Sequence, residues 1–230
     1  MTRLLALMSP FFLLSGSLAF AAEPIDLLAN RLEGWQFKGD AAKSQWRIGQ
    51  ALLIPGRSEE LLWQPKGAVL KVFELVNTRA QGVDAYTKQE HGDCKLSLEF
   101  MVPKGSNSGV YLMGEYEVQI LDSFGKEEVG PGDLGGIYGY SAPKENAAKA
   151  PGEWQKMEID FLAPKFEEGK KVGNARFLKV VINGKTVQEN VEVKAPTLSC
   201  LTGKEKPKGP LMLQGDHGPV AFRKMLLEPK

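Results

Sequence analysis

Three residues carry the chemistry that this sequence offers: Glu117, Gln119 and His217. The first two lie in Tyr116-Glu-Val-Gln-Ile-Leu, where apolar and polar residues alternate with a period of two. That period puts Tyr116, Val118 and Ile120 on one face of a β-strand and Glu115, Glu117 and Gln119 on the other. One face suits a core, and the other carries acids and an amide that must be wet or bound to something polar. Glu117 has the chemistry of a general base or a hydroxyl acceptor, and Gln119 could hydrogen-bond hydroxyls beside it. His217 lies between Asp216 and Gly218, where a neighbouring carboxylate can orient and tune an imidazole for acid–base work. Each residue also has a plainer reading, as a solvated strand carboxylate, a surface amide and a turn histidine.

Around these stand weaker candidates. Arg223 could neutralise a developing oxyanion or clasp a hydroxyl, although an Arg beside Phe222 on a strand also suits a plain sheet face. Tyr111, Tyr138, Tyr140 and Trp154 could offer rings for a ligand to stack on, while aromatics on strands commonly fill a core. Asp122 ends its strand and reads first as a turn cap. His91, in Glu90-His91-Gly92-Asp93, reads as a surface residue. The acidic loop Lys126–Asp133 has calcium-like oxygen chemistry but no regular ligand spacing, so it reads as a solvated loop. Neither C-x-x-C nor H-x-x-x-H spacing occurs, so no zinc site is expected. Cys94 and Cys200 are the only cysteines and could pair, or could serve as small apolar residues, since Cys94 shares parity with Leu96 and Leu98.

The elements that must position these groups read as strands. Lys95–Val102 alternates cleanly, with Leu96, Leu98, Phe100 and Val102 inward, and Gln155–Phe161 repeats the pattern. Leu178–Val191 carries Asn183-Gly184 between two apolar runs, a strong hairpin signal. Trp46–Ile54 reads as a hairpin turning at Gly49-Gln50; Val69–Leu75, Leu211–Gln214 and Val220–Leu227 read as further strands. The best helix candidate is the short Pro24–Leu32. Many strands without crossover helices predict an all-β, two-sheet antiparallel β-sandwich or jelly roll.

Met1–Ala21 reads as an export leader, with Arg3, a broken apolar run over Leu4–Leu18 and the A-x-A site Ala19-Phe20-Ala21. The run is too short and interrupted to span a membrane. Residues 22–230 then form one predicted domain in the periplasm or outside the cell. Lys plus Arg number 29 and Asp plus Glu 28, so no basic field exists to draw nucleic acid or an anionic membrane.

Five ordered motifs carry a resemblance. Asn107-Ser-Gly-Val-Tyr-Leu with Tyr116-Glu-Val-Gln-Ile-Leu-Asp122 resembles the signature of the 3-keto-disaccharide hydrolase family. Gly135-Gly-Ile-Tyr138, the stretch Asn146–Trp154, and Leu213-Gln-Gly-Asp-His-Gly218 with Phe222-Arg223 are similar to its later motifs, and Tyr86–Phe100 to its lead-in. The chain departs at Met113, where an Arg is common, at Cys94, where an aromatic is usual, and by one added residue before His217. The resemblance implies a concanavalin A-like jelly roll, exported, that cleaves 3-keto-glycosides or 3-keto-disaccharides. A C3 ketone acidifies the C2 proton, so a base can form an enolate that expels the C1 group, and added water gives net hydrolysis. On this reading Glu117 and His217 are the catalytic pair, and Tyr111, Gln119, Tyr138, Trp154 and Arg223 bind the sugar. No cofactor is expected, with a divalent metal at the keto oxygen left open, and the partner is a carbohydrate. The alternatives are a carbohydrate-binding module on the same fold and, less favoured, a hydrolase of unoxidised glycosides that recruits Glu115 or Asp122.

Overall fold

The computed structural model describes residues 23–54, 56–65 and 73–230; the leader expected at Met1–Ala21 lies outside them. The chain begins with β1 (Ile25–Asp26), a 3-10 turn at Arg31–Gly34 and β2 (Trp35–Phe37). Next come β3 (Trp46–Ile54), β4 (Arg57–Gln64), β5 (Glu74–Asn77), β6 (Ala85–His91) and β7 (Cys94–Met101). The hairpin β8 (Asn107–Leu112) and β9 (Tyr116–Leu121) precedes a long loop, then β10 (Gln155–Leu162), β11 (Lys165–Glu167) and β12 (Lys170–Gly173). The hairpin β13 (Ala175–Ile182) and β14 (Lys185–Val193), then β15 (Gly209–Leu213) and β16 (Val220–Pro229), complete the fold.

Two antiparallel sheets face one another as a sandwich. The larger runs β14-β13-β10-β7-β16-β5-β3-β4 with β1 beside β16, and the smaller runs β2-β6-β15-β8-β9. Their inner faces share one core, because period-two alternation sends Leu96, Leu98 and Phe100 of β7 towards Tyr116, Val118 and Ile120 of β9. Phe161 links the layers, its ring 5.6 Å from that of Tyr116 and 5.1 Å from that of Phe177. A side chain so enclosed contributes about 1.5–3 kcal/mol by burial alone. The Asn183-Gly184 turn forms as expected, with φ of 52° and 84°, the left-handed pair that a two-residue hairpin turn requires.

Three local expectations are corrected. Trp46–Ile54 is one continuous strand, not a hairpin; at Gly49 its partner changes from β5 to β4. A Cβ at Gly49 would lie 2.2 Å from Trp63 Nε1 and 2.3 Å from the Gln64 carbonyl, so close approach and not a turn explains the glycine. Pro24–Leu32 forms no helix, since Ile25 and Asp26 pair with β16 instead. The expected strand Val69–Leu75 lies partly outside the described residues, and the described strand is Glu74–Asn77. Cys94 and Cys200 are free thiols, and Cys94 is packed in the core.

His91 is the fourth correction: it ends β6 buried, not at the surface. Its Nδ1 lies 3.1 Å from the Gly92 carbonyl and its Nε2 accepts from the Met113 amide at 3.3 Å, so both ring nitrogens serve a neutral imidazole. Burial pushes its pKa down from 6.5 to about 4, against the Gly92 contact. The unfolded chain therefore binds the extra proton first, and the stability contributed above about pH 6.5 is lost as pH falls towards 4. Thermal unfolding should show the advantage of wild type over His91→Gln largest at pH 7 and smaller at pH 4, by on the order of 3 kcal/mol. A difference independent of pH would refute this origin of acid sensitivity.

Candidate functional site

The site is built on the outer face of the smaller sheet. In β9, Tyr116, Val118 and Ile120 enter the core, so Glu117 and Gln119 point the other way. In β8, Val110 and Leu112 are inward, which leaves Asn107, Gly109 and Tyr111 on that same outer face. Register places Tyr111 opposite Glu117 and Gly109 opposite Gln119. On the far side of β8, β15 ends and the Gln214 amide donates to the Gly109 carbonyl at 3.0 Å. Gly109 is therefore the floor of the site. A Cβ there would lie 2.1 Å from Glu117 Oε1, so the carboxylate occupies the space a side chain would take.

Asn107, Tyr111, Glu117, Gln119, Tyr138, Ser199, Gln214 and His217 line a small, partly open pocket. Larger hollows exist on the larger sheet, among Lys95, Ser97, Glu158, Asp160 and Lys179, and at the sandwich end beside Asp93 and Lys165. An acid in each meets a lysine, Asp160 with Lys230 and Asp93 with Lys165, so size does not mark the chemistry there. The small pocket is different, because Glu117 Oε1 and Gln214 Oε1 are buried and have no hydrogen-bond partner among the described residues.

Glu117 is 2% exposed, and burial is the main cause that pushes its carboxyl up from 4.5 to about 8. The Tyr111 hydroxyl opposes this by favouring the anion, while the charges of Asp84 and Asp216 add to it. Tyr111 in turn holds its own proton tightly, through burial and the neighbouring Glu117. The backbone around Glu117 is closed on the sheet's edge. Its N–H donates to the Thr197 hydroxyl at 3.1 Å and its carbonyl accepts from Tyr138 at 3.2 Å. Gln119 bonds Gly135 and Gly136 across the same edge, and its side-chain amide donates to Asn107 Oδ1 at 2.8 Å. These contacts replace the missing neighbouring strand and hold β9 in place.

His217 reaches the pocket from the turn after Gln214, half exposed, with Nδ1 2.5 Å from Asp216 Oδ1. Asn77 shapes that turn: its Nδ2 donates to the carbonyls of Gly215 and Gly218, each at 2.9 Å. Gly218 packs so closely that a Cβ would meet Ser106 Oγ at 2.3 Å.

Five of the expected site residues, Tyr111, Glu117, Gln119, Tyr138 and His217, therefore meet in one pocket. Tyr111 meets it only partly as expected, since its ring is fully buried and offers its hydroxyl rather than a stacking surface. Trp154 and Arg223 are elsewhere. Phe222 points into the core, so Arg223 emerges on the outer face of the larger sheet, where it pairs with Glu99 at 2.6 Å and stacks 3.9 Å over Trp154. Glu115 does not share the face of Glu117; it lies in the β8–β9 turn, where its carboxylate accepts from Thr202 and Gly203. Met113 lies in the same turn, packed into the core, so the departure from Arg there does not touch the pocket. Asp133, in the loop weighed for calcium, bonds Lys126, Ser123 and the Gly130 amide. Among the described residues, no three His, Cys, Asp or Glu side chains are grouped to hold a metal. Asn107, Ser199 and Gln214 were not predicted as site residues. Asn107 shares the period-two face of Tyr111 and so was legible, whereas Ser199 comes from a distant loop with no signal of its own.

No curated protein matches this chain in sequence. Among solved structures, a "putative glycosyl hydrolase" from Parabacteroides distasonis ATCC 8503 superposes with a TM-score of 0.60 at 26% identity, covering 85% of this chain and 91% of that one. A second, from the same organism and described in the same words, superposes at 0.59 with 20% identity, covering 91% of this chain and all of its own. Both share the antiparallel sandwich. A family model matches residues 24–228, nearly all that the structure describes, and the chain belongs to the 3-keto-alpha-glucoside-1,2-lyase-like domain family.

Proposed function

We propose that the protein is an exported enzyme that cleaves 3-keto-glycosides by elimination at C1–C2, with hydration completing net hydrolysis. One observation carries the reading: Glu117 is a buried carboxyl with an unpartnered oxygen, pushed up to about 8, facing a pocket lined with hydroxyl-binding groups. A base raised this far is strong enough to take an acidified carbon-bound proton near neutral pH. Glu117 removes the C2 proton of the 3-keto sugar, and the C2–H electrons form the enolate. The enolate then expels the C1 oxygen, to which His217 gives a proton, and Asp216 stabilises the imidazolium that gives it. Water then adds across the C1–C2 double bond: its hydroxyl goes to C1, its remaining proton goes to the neutral His217 and restores the imidazolium, and Glu117 returns its proton to C2. Tyr111, Gln119 and Gln214 supply hydrogen bonds to the keto oxygen and the hydroxyls. The family's description as lyase-like fits elimination as the first step.

The Met1–Ala21 stretch, with its apolar run and A-x-A site, supports export to the periplasm or beyond. A binding module would need rings facing the sugar, yet the pocket's Tyr111 ring is buried and only Tyr138 is half exposed.

The test is turnover of a 3-keto-disaccharide beside its unoxidised parent. Wild type should release free 3-keto sugar from the oxidised substrate alone. Glu117→Gln and His217→Ala should each lose about 100- to 10,000-fold of that rate, the span of acid–base catalysis. Gly109→Ala, which drives a methyl into the Glu117 carboxylate, should lose at least about 100-fold. Binding of either sugar without turnover would favour the binding module instead.

Glu117 makes a separate prediction that needs no substrate. Its folded pKa is raised, so the folded chain keeps a proton that the unfolded chain releases above about 4.5. Wild type should therefore lose stability relative to Glu117→Gln as pH rises from 5 to 8.5. The variant's Tm should gain on the order of 10 °C over wild type across that interval. Parallel Tm–pH curves would place Glu117 outside a desolvated pocket.

A further inference from the structure

We propose that Lys38 and Asp84 form a positioning clamp that ties the pocket's two loop walls to each other and to the sheet beneath. The two residues are neighbours because β2 and β6 pair through Phe37 and Ala85, and the ladder continues with the Lys38 amide donating to the Asp84 carbonyl at 2.9 Å. From there the side chains reach in different directions. Lys38 Nζ donates to the Ser199 carbonyl at 2.8 Å and the Cys200 carbonyl at 3.0 Å, and lies 3.3 Å from Asp84 Oδ2. Asp84 Oδ1 accepts from the Gly215 amide at 3.0 Å. One ion pair thus reaches Ser199 on one wall and the turn that carries His217 on the other.

The walls need such a tie. Ser199 has a φ of 58°, a left-handed conformation that a non-glycine residue keeps only when its surroundings hold it. Leu198 beside it is 71% exposed, so burial does not fix that segment. Hydrogen bonds hold it instead: Thr197 on the Glu115 carbonyl, the Tyr111 hydroxyl on the Leu198 carbonyl at 3.4 Å, Leu201 on the Gly114 carbonyl, and Lys38 on the Ser199 and Cys200 carbonyls. Asp84 is 6% exposed, and a buried acid left without its cation is strongly destabilising, so removing Lys38 should disturb the Gly215 turn as well.

Asp84 also faces Glu117 electrostatically. Among the described residues, the ionisable groups around Glu117 are Tyr111 from β8, Tyr138 from the loop after β9, Asp84 ahead of β6, and Asp216 and His217 from the turn. Glu115 of the same hairpin is turned towards Thr202 and Gly203. Because the Asp84 charge helps to raise Glu117, a neutral residue of the same shape should lower it.

Amide hydrogen exchange on the whole chain tests the clamp without substrate, in Lys38→Met, Lys38→Arg and Asp84→Asn. Lys38→Met should exchange at least about tenfold faster at Gly215, which Lys38 does not touch, as well as at Leu201 and Thr202. Asp84→Asn, able to keep the Gly215 bond, should speed Leu201 and Thr202, and Lys38→Arg should restore wild-type exchange on both walls. Carboxyl NMR should find the Glu117 midpoint lower in Asp84→Asn than in wild type. Faster exchange confined to the loop each residue touches overturns the clamp, and so does an unmoved midpoint. The catalytic consequence rests on the 3-keto-glycoside reading: kcat/KM of Lys38→Met should fall by about 10- to 100-fold. If wild type shows no turnover, that reading fails while the exchange and NMR results still decide the clamp.

Discussion

A carboxyl group taken out of water must find a partner for its charge or keep its proton, and Glu117 keeps its proton far above the usual carboxylate range. Its backbone is pinned along the sheet's edge by Thr197 and Tyr138, and its side chain lies over a glycine where nothing else fits. The ordinary remedy, a lysine or arginine within reach, is absent from the residues lining the pocket. The two nearby acids, Asp84 and Asp216, act in the opposite sense. The rest of the site reads as what is needed to keep one acid proton-hungry in a fixed place.

That demand explains why the site lies on β9. An edge strand has one free side, and here two loops occupy it, so both loops can reach over the outer face and bring Tyr138 and Ser199 to the pocket. The inner face of the same strand is anchored by Tyr116, Val118 and Ile120, all fully buried. Apolar burial of about 1.5–3 kcal/mol for each such side chain outweighs the cost of a desolvated acid between two of them. Core and site are opposite faces of one period-two pattern. A slip of one residue in the β8–β9 register would exchange them, which the Met113-Gly114 turn and the Glu115 anchor prevent.

How much of this was legible follows from the range of each signal. The face of Glu117 and Gln119, the β7 and β10 alternation and the Asn183-Gly184 turn are local patterns, and all three appear in the structure. Parity read Arg223 correctly as pointing away from the core, yet parity does not say which sheet a strand joins, and β16 joined the larger one. Gly49 looked like a turn because a tight backbone approach by β4 leaves the same mark as a bend. His91 looked exposed because its polar neighbours hide the parity that buries it. Ser199, Lys38 and Asp84 were invisible, since their meeting depends on segments 46 to 161 residues apart.

The separation of Glu99, Arg223 and Trp154 from the pocket sharpens the chemical reading. On the larger sheet an acid meets two cations, Arg223 and Lys224, and its carboxyl is held below the usual range. Such a group is a weak base and a good structural partner. Across the sandwich Glu117 meets a phenol and two acids, and its carboxyl is raised. The same side-chain type is driven in opposite directions by its neighbours, on sheets that share one core. Only the second setting yields a group able to remove a proton from carbon near neutral pH. That contrast, rather than the depth of any hollow, is what the proposed reading rests on.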